Sequence, residues 1–328
     1  MPVAWPDKPG QSMALSEFQL IRQYFSELTR PRDDVVLGIG DDCALLAPPA
    51  GKQLAVTMDT LVAGRHFMPD VDPESLGHKS LAVNLSDLAA MGAEPAWATL
   101  ALTLPGVDET WLASFARGFS RLAAEYALQL VGGDTTRGPL SISIQVQGFV
   151  EPGRALCRGG ARPGDSIYVT GELGLAALEL LLQQQGRLSW PADALDRPWP
   201  RVREGIALSG IASAAIDISD GLLADLGHVC EASGSGARIR CASLPLDQRV
   251  KQHIQSTGDW SLPWSGGDDY QLCCTVPPQR QRQLQQVMRA RGFDYSLIGQ
   301  IEAGQDVRAI LPDGRPAKPD VGGFDHFN

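Results

Sequence analysis

The sequence predicts an α/β protein with two domains. At 328 residues, the chain is longer than one hydrophobic core usually supports. Short apolar runs with strand character alternate along it with stretches of helical periodicity. Between Glu151 and Gly164 the composition shifts to glycine, proline and arginine, as is typical of a domain boundary. We therefore predict domains over residues 14–150 and 151–328, with a disordered extension over residues 1–13. Whether translation starts at Met1 or Met13 stays open.

The first predicted domain opens with a helix. Ser16 and Gln19 form a capping box, and apolar residues then recur at helical spacing. A second helix begins at Asp72-Pro73, because proline is favoured at the first helical position, and runs to about Met91. Two short apolar runs end in aspartates, which is expected of strands that present ligands at their ends. The predicted strands span residues 35–39, 54–58, 97–104 and 141–150, and a third helix spans residues 108–127.

The second predicted domain continues the alternation of strands and helices. Each domain contains a Gly-Gly-Asp turn, at residues 132–134 and 266–268, but the flanking residues do not align, so an internal duplication stays open. The predicted strands span residues 167–170, 215–218, 237–241, 271–276 and 295–301, with helical stretches such as 173–185 and 279–291 between them.

Composition argues against several functional classes. The net charge is −10 and there is no long Lys/Arg stripe, which argues against a nucleic-acid binder. Residues 1–11 have the pattern of neither a signal peptide nor a membrane span, so we expect no membrane partner. The six cysteines show no metal-ligand spacing, and we interpret them as reduced thiols of a cytoplasmic protein.

Six short segments place aspartate beside glycine, serine or threonine. One such segment is ordinary turn chemistry, and Asp87 alone could lie on an exposed helix face. Together they suggest carboxylates that converge on Mg²⁺, which typically bridges one or two carboxylates to substrate phosphates. We therefore predict a metal–phosphate site. The segments are Gly40-Asp41-Asp42, Thr57-Met58-Asp59-Thr60, Asn84-Leu85-Ser86-Asp87, Gly132-Gly133-Asp134-Thr135-Thr136, Asp217-Ile218-Ser219-Asp220-Gly221 and Gly266-Gly267-Asp268-Asp269.

The common nucleotide and nucleophile motifs do not fit. Gly38-x-Gly40 follows a predicted strand, but the third glycine of a dinucleotide fingerprint would fall at Cys43. Residues 77–80 (Gly-His-Lys-Ser) lack the glycine that precedes lysine in a Walker A loop, and no G-x-S-x-G occurs. Phosphoryl transfer to an acceptor that is already ionised needs no such nucleophile, because positioning and charge stabilisation provide most of the catalysis.

Five of the acidic motifs occur in the order and at the separations of one family. They are residues 38–46 (GIGDDCALL), 59–67 (DTLVAGRHF), 84–92 (NLSDLAAMG), 132–137 (GGDTTR) and 217–222 (DISDGL). Through them, residues 16–327 resemble the thiamine-monophosphate kinase family, a branch of the superfamily that includes aminoimidazole ribonucleotide synthetase. The resemblance implies two α/β domains, the first pairing its sheet with that of another subunit in a homodimer.

The resemblance also implies an activity. The γ-phosphoryl of ATP would move in line to the phosphate of thiamine monophosphate, giving thiamine diphosphate and ADP without a phosphoenzyme. Because both substrates and the site are negatively charged, several Mg²⁺ ions would be needed. Asp134 and Asp220 would act in catalysis through metal. The implied metal ligands are Asp42, Thr57, Met58 (through its carbonyl), Asp59, Asp87, Asp134, Asp217 and Asp220.

Further positions match the family's substrate contacts. Asp268 replaces the usual glutamate, so its carboxylate is one methylene shorter and could contact the acceptor through a longer or water-bridged bond. Arg137 is a second cationic candidate beside Asp134. Without the resemblance, Arg158 would be interpreted as a solvated arginine of the linker, and Phe324 as a buried anchor of the C-terminal segment. The implied ATP contacts are Gly133, Asp134, Arg158 and Ser219, and the implied acceptor contacts are His66, Asp268 and Phe324.

Two alternative functions stay open from the sequence. Another ATP-dependent synthetase of the same superfamily is one, although the chain lacks both the N-terminal reactive cysteine and the cysteine tail of relatives that use other acceptors. A non-catalytic sensor of nucleotide or thiamine phosphate is the other. Loss of metal-binding aspartates would favour the sensor, and none is lost.

Overall fold

The computed structural model describes residues 15–317. Phe324 and the predicted extension over residues 1–13 lie outside the described residues. The described chain divides into two compact units. Unit 1 comprises residues 15–85 and Pro95–Glu151, and unit 2 comprises Ser86–Glu94 and residues 152–317. No described helix is long and apolar enough to span a lipid bilayer.

Unit 1 is built on a four-stranded sheet with helices. The predicted capping box is confirmed: the Ser16 side chain accepts the Gln19 N–H, and the Gln19 side chain accepts the Ser16 N–H. Asp108 caps the third helix by accepting two backbone N–H groups. The elements are α1 (Glu17–Tyr24), β1 (Val35–Leu37), β2 (Leu45–Leu46), β3 (Gln53–Val62), α2 (Pro73–Ala90), β4 (Glu94–Leu104), α3 (Glu109–Glu125), β5 (Gln129–Arg137) and β6 (Ser141–Val150). The C-terminal part of α2, from Ser86, and Glu94 at the start of β4 belong to unit 2.

The strand order in the sheet of unit 1 is β3-β6-β4-β5. β3 and β6 are antiparallel over their whole length, with Gln53 opposite Val150, while β4 and β5 are parallel. Trp97 of β4 is buried and packs edge-on against Phe149 of β6. β3 and β5 are therefore the two edge strands of this sheet.

Unit 2 contains a six-stranded sheet in the order β12-β9-β11-β7-β10-β8. Neighbouring strands are antiparallel except β12 and β9, which are parallel. Its core joins the apolar residues of β7 and β8 to those of α7, including Ile216 and Leu226. The elements are β7 (Ser166–Thr170), α4 (Leu175–Gln184), α5 (Asp193–Asp196), α6 (Val202–Leu208), β8 (Ala214–Ile218), α7 (Leu222–Ser233), β9 (Gly236–Arg240), α8 (Gln248–Thr257), α9 (Ser261–Ser265), β10 (Gln271–Val276), α10 (Gln281–Arg291), β11 (Tyr295–Glu302) and β12 (Val307–Ile310).

Two sequence predictions about local structure were wrong. Asp59 does not end its strand, because β3 continues to Val62 through its pairing with β6. Residues 132–134 form no turn, because β5 passes through them and pairs with β4. In both cases a neighbouring strand satisfies the backbone hydrogen bonds of residues whose local sequence favours a turn.

Candidate active site

Asp217 is a buried carboxylate in β8 of unit 2. Its Oδ2 accepts a hydrogen bond from the buried Ser86 hydroxyl at 2.7 Å. Burial, together with the negative charge of Asp87, raises the pKa of Asp217 to about 7. A buried carboxylate that is repelled by a second negative charge is costly to ionise unless a cation lies beside it. Because every donor here is an oxygen, the pair fits a hard cation such as Mg²⁺.

The loop after β8 contains Ser219 and Asp220 and is held by a third aspartate. Oδ2 of Asp225, in the first turn of α7, accepts the backbone N–H groups of Ser219, Asp220 and Gly221, each at 3.1 Å. Burial, together with the negative charge of Asp220, raises the pKa of Asp225 to about 7. The predicted nucleotide and metal residues of this loop therefore have a defined backbone conformation.

The predicted acceptor residue Asp268 lies in the loop before β10. Asp268 and Tyr270 have φ values of +58° and +48°, a left-handed conformation that is uncommon for residues other than glycine and is often found at functional sites. The Tyr270 hydroxyl donates to Oδ1 of Asp268 at 2.9 Å. The Asp268 N–H donates to the Ser219 carbonyl at 2.9 Å, so the loop before β10, residues 266–270 (called the acceptor loop after its predicted role), is bonded directly to the loop after β8.

A cavity of about 630 Å³ lies at the same end of the unit 2 sheet. Trp199 and Tyr295 contribute aromatic surface to its lining, and Asp269 contributes a buried carboxyl. Oδ1 of Asp269 accepts the Gly174 N–H at 2.8 Å, and burial holds the pKa of Asp269 well above its usual value. The residue next to Asp268 thus fastens the acceptor loop to the start of α4.

In unit 1, the predicted metal residues lie on opposite edges of the sheet. Thr57, Met58 and Asp59 are on β3, where the Asp59 N–H donates to Oδ1 of Asn84 at 3.1 Å. Asp134 is exposed on β5. With strands about 4.8 Å apart, three strand spacings separate β3 from β5 by roughly 14 Å. The sheet of one chain does not bring Asp59 and Asp134 together.

Gly133, a predicted nucleotide contact, has a structural reason to be glycine. It adopts φ +152° in β5, and a Cβ atom built on it would lie 1.9 Å from the Leu100 carbonyl oxygen of β4. Any side chain would therefore force the two strands apart. The close approach of β4 explains this glycine without reference to a ligand.

The remaining predicted residues lie in connecting segments. Asp42 is exposed between β1 and β2, and its N–H donates to Oδ1 of Asp41 at 2.8 Å. Nδ1 of His66 accepts the Val62 N–H at 3.0 Å. Arg158 is exposed in the segment before β7.

The structure adds residues that the sequence motifs did not assign. Ser86, Asp225 and Tyr270 each bond to a predicted site residue or to its loop. Asp225 has the one detectable sequence signal, an acidic residue in the first turn of a helix that follows a glycine. Over residues 15–317, no group of three or more His, Cys, Asp or Glu side chains lies close enough to hold a metal ion alone.

Comparison with known proteins identifies the family of this chain. The N-terminal domain of AIR synthase related proteins matches residues 40–150, and the C-terminal domain matches residues 162–312. The thiamine-monophosphate kinase of Escherichia coli (strain K12) is 51% identical over 326 residues, which cover 96% of this chain and 99% of that protein. The chain belongs to the thiamine-monophosphate kinase family.

Solved structures of the thiamine-monophosphate kinase family share the fold. The crystal structure of the thiamine-monophosphate kinase from Stenotrophomonas maltophilia K279a is 45% identical, with a TM-score of 0.82 over 87% of this chain and 93% of that chain. The structure of AaThiL complexed with AMPPCP and TMP is 34% identical, with a TM-score of 0.74 over 88% of this chain and 92% of that chain. The predicted α/β fold class and the predicted family are both confirmed.

Proposed function

We propose that this protein transfers the γ-phosphoryl group of ATP to the phosphate of thiamine monophosphate, giving thiamine diphosphate and ADP. The observation that carries the proposal is 51% identity along almost the whole of both chains to a thiamine-monophosphate kinase. A 34% identical relative complexed with AMPPCP and TMP supports the same pair of substrates. The reaction is a step in making thiamine diphosphate.

Phosphoryl transfer to this acceptor needs little general acid or general base catalysis. The second pKa of a phosphate monoester is about 6, so the attacking oxygen is already mostly unprotonated at pH 7. The main obstacle is repulsion between two polyanionic substrates, which positioning and cations must overcome. Direct in-line transfer therefore needs no covalent enzyme intermediate.

Several Mg²⁺ ions are the cofactors in this proposal. Bound Mg²⁺ would neutralise phosphate charge and polarise the γ-phosphoryl group. The buried Asp217 supports this assignment, because its carboxylate is close to Asp87 and is costly to ionise without a cation. The residues that would hold the ions are Asp42, Thr57, Met58, Asp59, Asp87, Asp134, Asp217 and Asp220, with Asp134 and Asp220 acting in catalysis through metal.

The substrate contacts in this proposal follow the family positions. Ser219 and Asp268 are supported by their direct loop-to-loop hydrogen bond, which would keep the nucleotide and acceptor contacts in fixed register. Tyr270 would hold the Asp268 carboxylate toward the amine of the acceptor through its hydroxyl. The nucleotide contacts would be Gly133, Asp134, Arg158 and Ser219, and the acceptor contacts would be His66, Asp268 and Phe324.

A homodimer is also part of the proposal. β3 is a ten-residue edge strand whose alternate residues Leu54, Val56 and Met58 are 49%, 54% and 60% exposed. A long apolar edge of this kind is a liability unless another chain covers it. A second copy that pairs its sheet along this edge would bury these residues and could also bring an Asp134 toward Asp59, which the sheet of one chain keeps apart.

A cytoplasmic location completes the proposal. All six cysteines lie in the part of the chain that the structure describes, and all are free thiols. Free cysteines are expected in a reducing compartment, where thioredoxin and glutathione keep thiols reduced. ATP is also abundant there.

Incubation of the purified protein with ATP, Mg²⁺ and thiamine monophosphate tests the proposal. Thiamine species are separated by chromatography and ADP is quantified in the same samples. We expect equal amounts of thiamine diphosphate and ADP, both abolished by EDTA, and no diphosphate when unphosphorylated thiamine replaces the acceptor. ADP without thiamine diphosphate would indicate another acceptor, and binding of thiamine monophosphate without turnover would indicate a sensor.

A further inference from the structure

Asp225 stands out among the buried acidic residues of unit 2. Asp225 is only 2% exposed, and one of its side-chain oxygens, Oδ2, accepts three consecutive backbone N–H groups. Those groups belong to Ser219, Asp220 and Gly221, at 3.1 Å each. The Asp225 carboxylate therefore bonds to the predicted site residues Ser219 and Asp220 through their backbone amides.

The loop that Asp225 holds must turn sharply between β8 and α7. Gly221 adopts φ +113° and offers no side chain to cap the helix, so the first amides of the turn need another acceptor. A carboxylate near a helix N-terminus is also favoured by the helix dipole. Asp225 supplies both the acceptor and the negative charge from inside the helix that follows.

The same loop is bonded to the acceptor loop. The Ser219 carbonyl accepts the Asp268 N–H at 2.9 Å, and the Ile218 carbonyl accepts the Tyr270 N–H at 2.8 Å. Gly267 leaves no room for a side chain between them, since a Cβ atom there would lie 2.6 Å from the Ser219 carbonyl oxygen. The conformation of residues 219–221 therefore also sets the position of Asp268.

We propose that Asp225 is a positioning residue that holds Ser219 and Asp220 in the conformation that binds nucleotide phosphates and Mg²⁺, and through Ser219 aligns the acceptor residue Asp268. This inference rests on the proposed kinase function. Without the carboxylate, three adjacent amides lose their common acceptor and the loop gains conformational freedom. Asp225 acts through the backbone of other residues and does not itself contact the reacting atoms.

Two variants and a matched control test this role. Asp225→Leu removes the acceptor, while Asp225→Asn keeps one oxygen that can accept part of the hydrogen bonds. The control is Asp247→Leu, because Asp247 also accepts a backbone N–H at a helix start in unit 2, that of Arg249 at 2.7 Å, but contacts neither loop. Thermal unfolding of all three variants reports any general loss of stability.

The first measurement is independent of catalysis. Hydrogen–deuterium exchange is followed over residues 219–221 in the substrate-free protein. We expect exchange there to be at least ~10-fold faster in Asp225→Leu and at least ~3-fold faster in Asp225→Asn, because hydrogen-bonded amides exchange only when the loop opens. The Asp247→Leu control should leave exchange over these residues unchanged.

The second measurement separates positioning from a structural role. In the kinase assay, we expect Asp225→Leu to raise the half-saturating Mg²⁺ concentration and the KM for ATP by at least ~10-fold, with Asp225→Asn rescuing most of this loss. Asp247→Leu should keep wild-type values of both. A merely less stable protein would lose active molecules but keep the wild-type KM and Mg²⁺ dependence.

Unchanged exchange over residues 219–221 in Asp225→Leu would overturn the inference. So would wild-type KM and Mg²⁺ dependence in an Asp225→Leu protein that exchanges faster. If Asp225→Leu does not fold, Asp225→Asn decides by the same two readouts. If the wild-type protein makes no thiamine diphosphate, the proposed function fails, whereas the exchange data and direct Mg²⁺ titration still decide the role of Asp225.

Discussion

Replacement of Ser86 by alanine should change the pH dependence of Mg²⁺ binding. The Ser86 hydroxyl donates to Oδ2 of Asp217 at 2.7 Å and so stabilises the ionised carboxylate. The pKa of Asp217 is about 7 in the metal-free protein, raised mainly by burial. In the proposed site Mg²⁺ would bind the ionised carboxylate, so each ion bound below pH 7 would have to displace a proton.

The size of the effect follows from the strength of this hydrogen bond. A hydrogen bond to a charged group is worth about 1.5–3 kcal/mol, and one pKa unit corresponds to about 1.4 kcal/mol, so Ser86→Ala should raise the pKa of Asp217 by roughly 1–2 units. Below its pKa, the affinity for Mg²⁺ falls about tenfold per pH unit. At pH 7 the variant should therefore bind Mg²⁺ roughly 5- to 50-fold more weakly, and the difference should shrink toward pH 9.5.

The raised pKa of Asp217 also fixes the direction in which folding stability changes with pH. The folded-state pKa of Asp217 lies above its usual value of 3.8. The metal-free protein therefore loses folding stability as the pH rises from about 4 through about 7, because the buried carboxyl must ionise. Mg²⁺ should raise the melting temperature more at pH 8 than at pH 6.

Calorimetric titration of Mg²⁺ into the substrate-free protein from pH 6 to pH 9.5 measures the effect without interference from phosphate titration. Ser80→Ala is the matched control, because Ser80 is also buried on α2 but its hydroxyl donates to the Gly77 carbonyl. A midpoint that stays near pH 7 in Ser86→Ala, or that moves equally in Ser80→Ala, would refute the assignment of Asp217 as the controlling ligand.

Three further predictions concern the site and the dimer. Asp220→Asn should lower kcat by at least ~100-fold at an unchanged melting temperature, because it removes an electrostatic element of the transition state; near wild-type turnover would contradict the metal role. Tyr270→Phe should raise the KM for thiamine monophosphate several-fold with kcat within about twofold, because Asp268 loses its hydroxyl donor; an unchanged KM would remove Tyr270 from the acceptor site. Val56→Lys should convert the proposed dimer into monomers in light scattering, because Val56 is 54% exposed on β3, whereas Val107→Lys, at a position 44% exposed outside that strand, should not.

Much of the secondary structure could be predicted from local sequence. Ser16 with Gln19 correctly located the start of α1, and Pro73 correctly located the start of α2. These signals are local, because capping and proline geometry depend on residues within one helical turn. The alternating apolar residues of β6 likewise predicted its span of Ser141–Val150.

The extent of other elements could be predicted only with knowledge of the strands that pair with them. Local sequence predicts a turn at residues 132–134 because Gly132 and Gly133 favour one, yet pairing with β4 makes these residues part of strand β5. β3 extends past Asp59 because β6 lies beside it over ten residues. A strand's length depends on the neighbouring strand that bonds to it, and a single sequence window does not contain that neighbour.

The motifs alone indicated the family, because their residue types and order are visible in one chain, and the resemblance to that family implied the substrates and the roles of the aspartates. Only the tertiary structure decided what surrounds each carboxylate. Ser86 and Asp217 are 131 residues apart and meet in a buried hydrogen bond, which no spacing along the chain predicts. Burial and long-range partners set the pKa of Asp217 and the conformation of the loop that Asp225 holds, and both arise only when distant segments pack together.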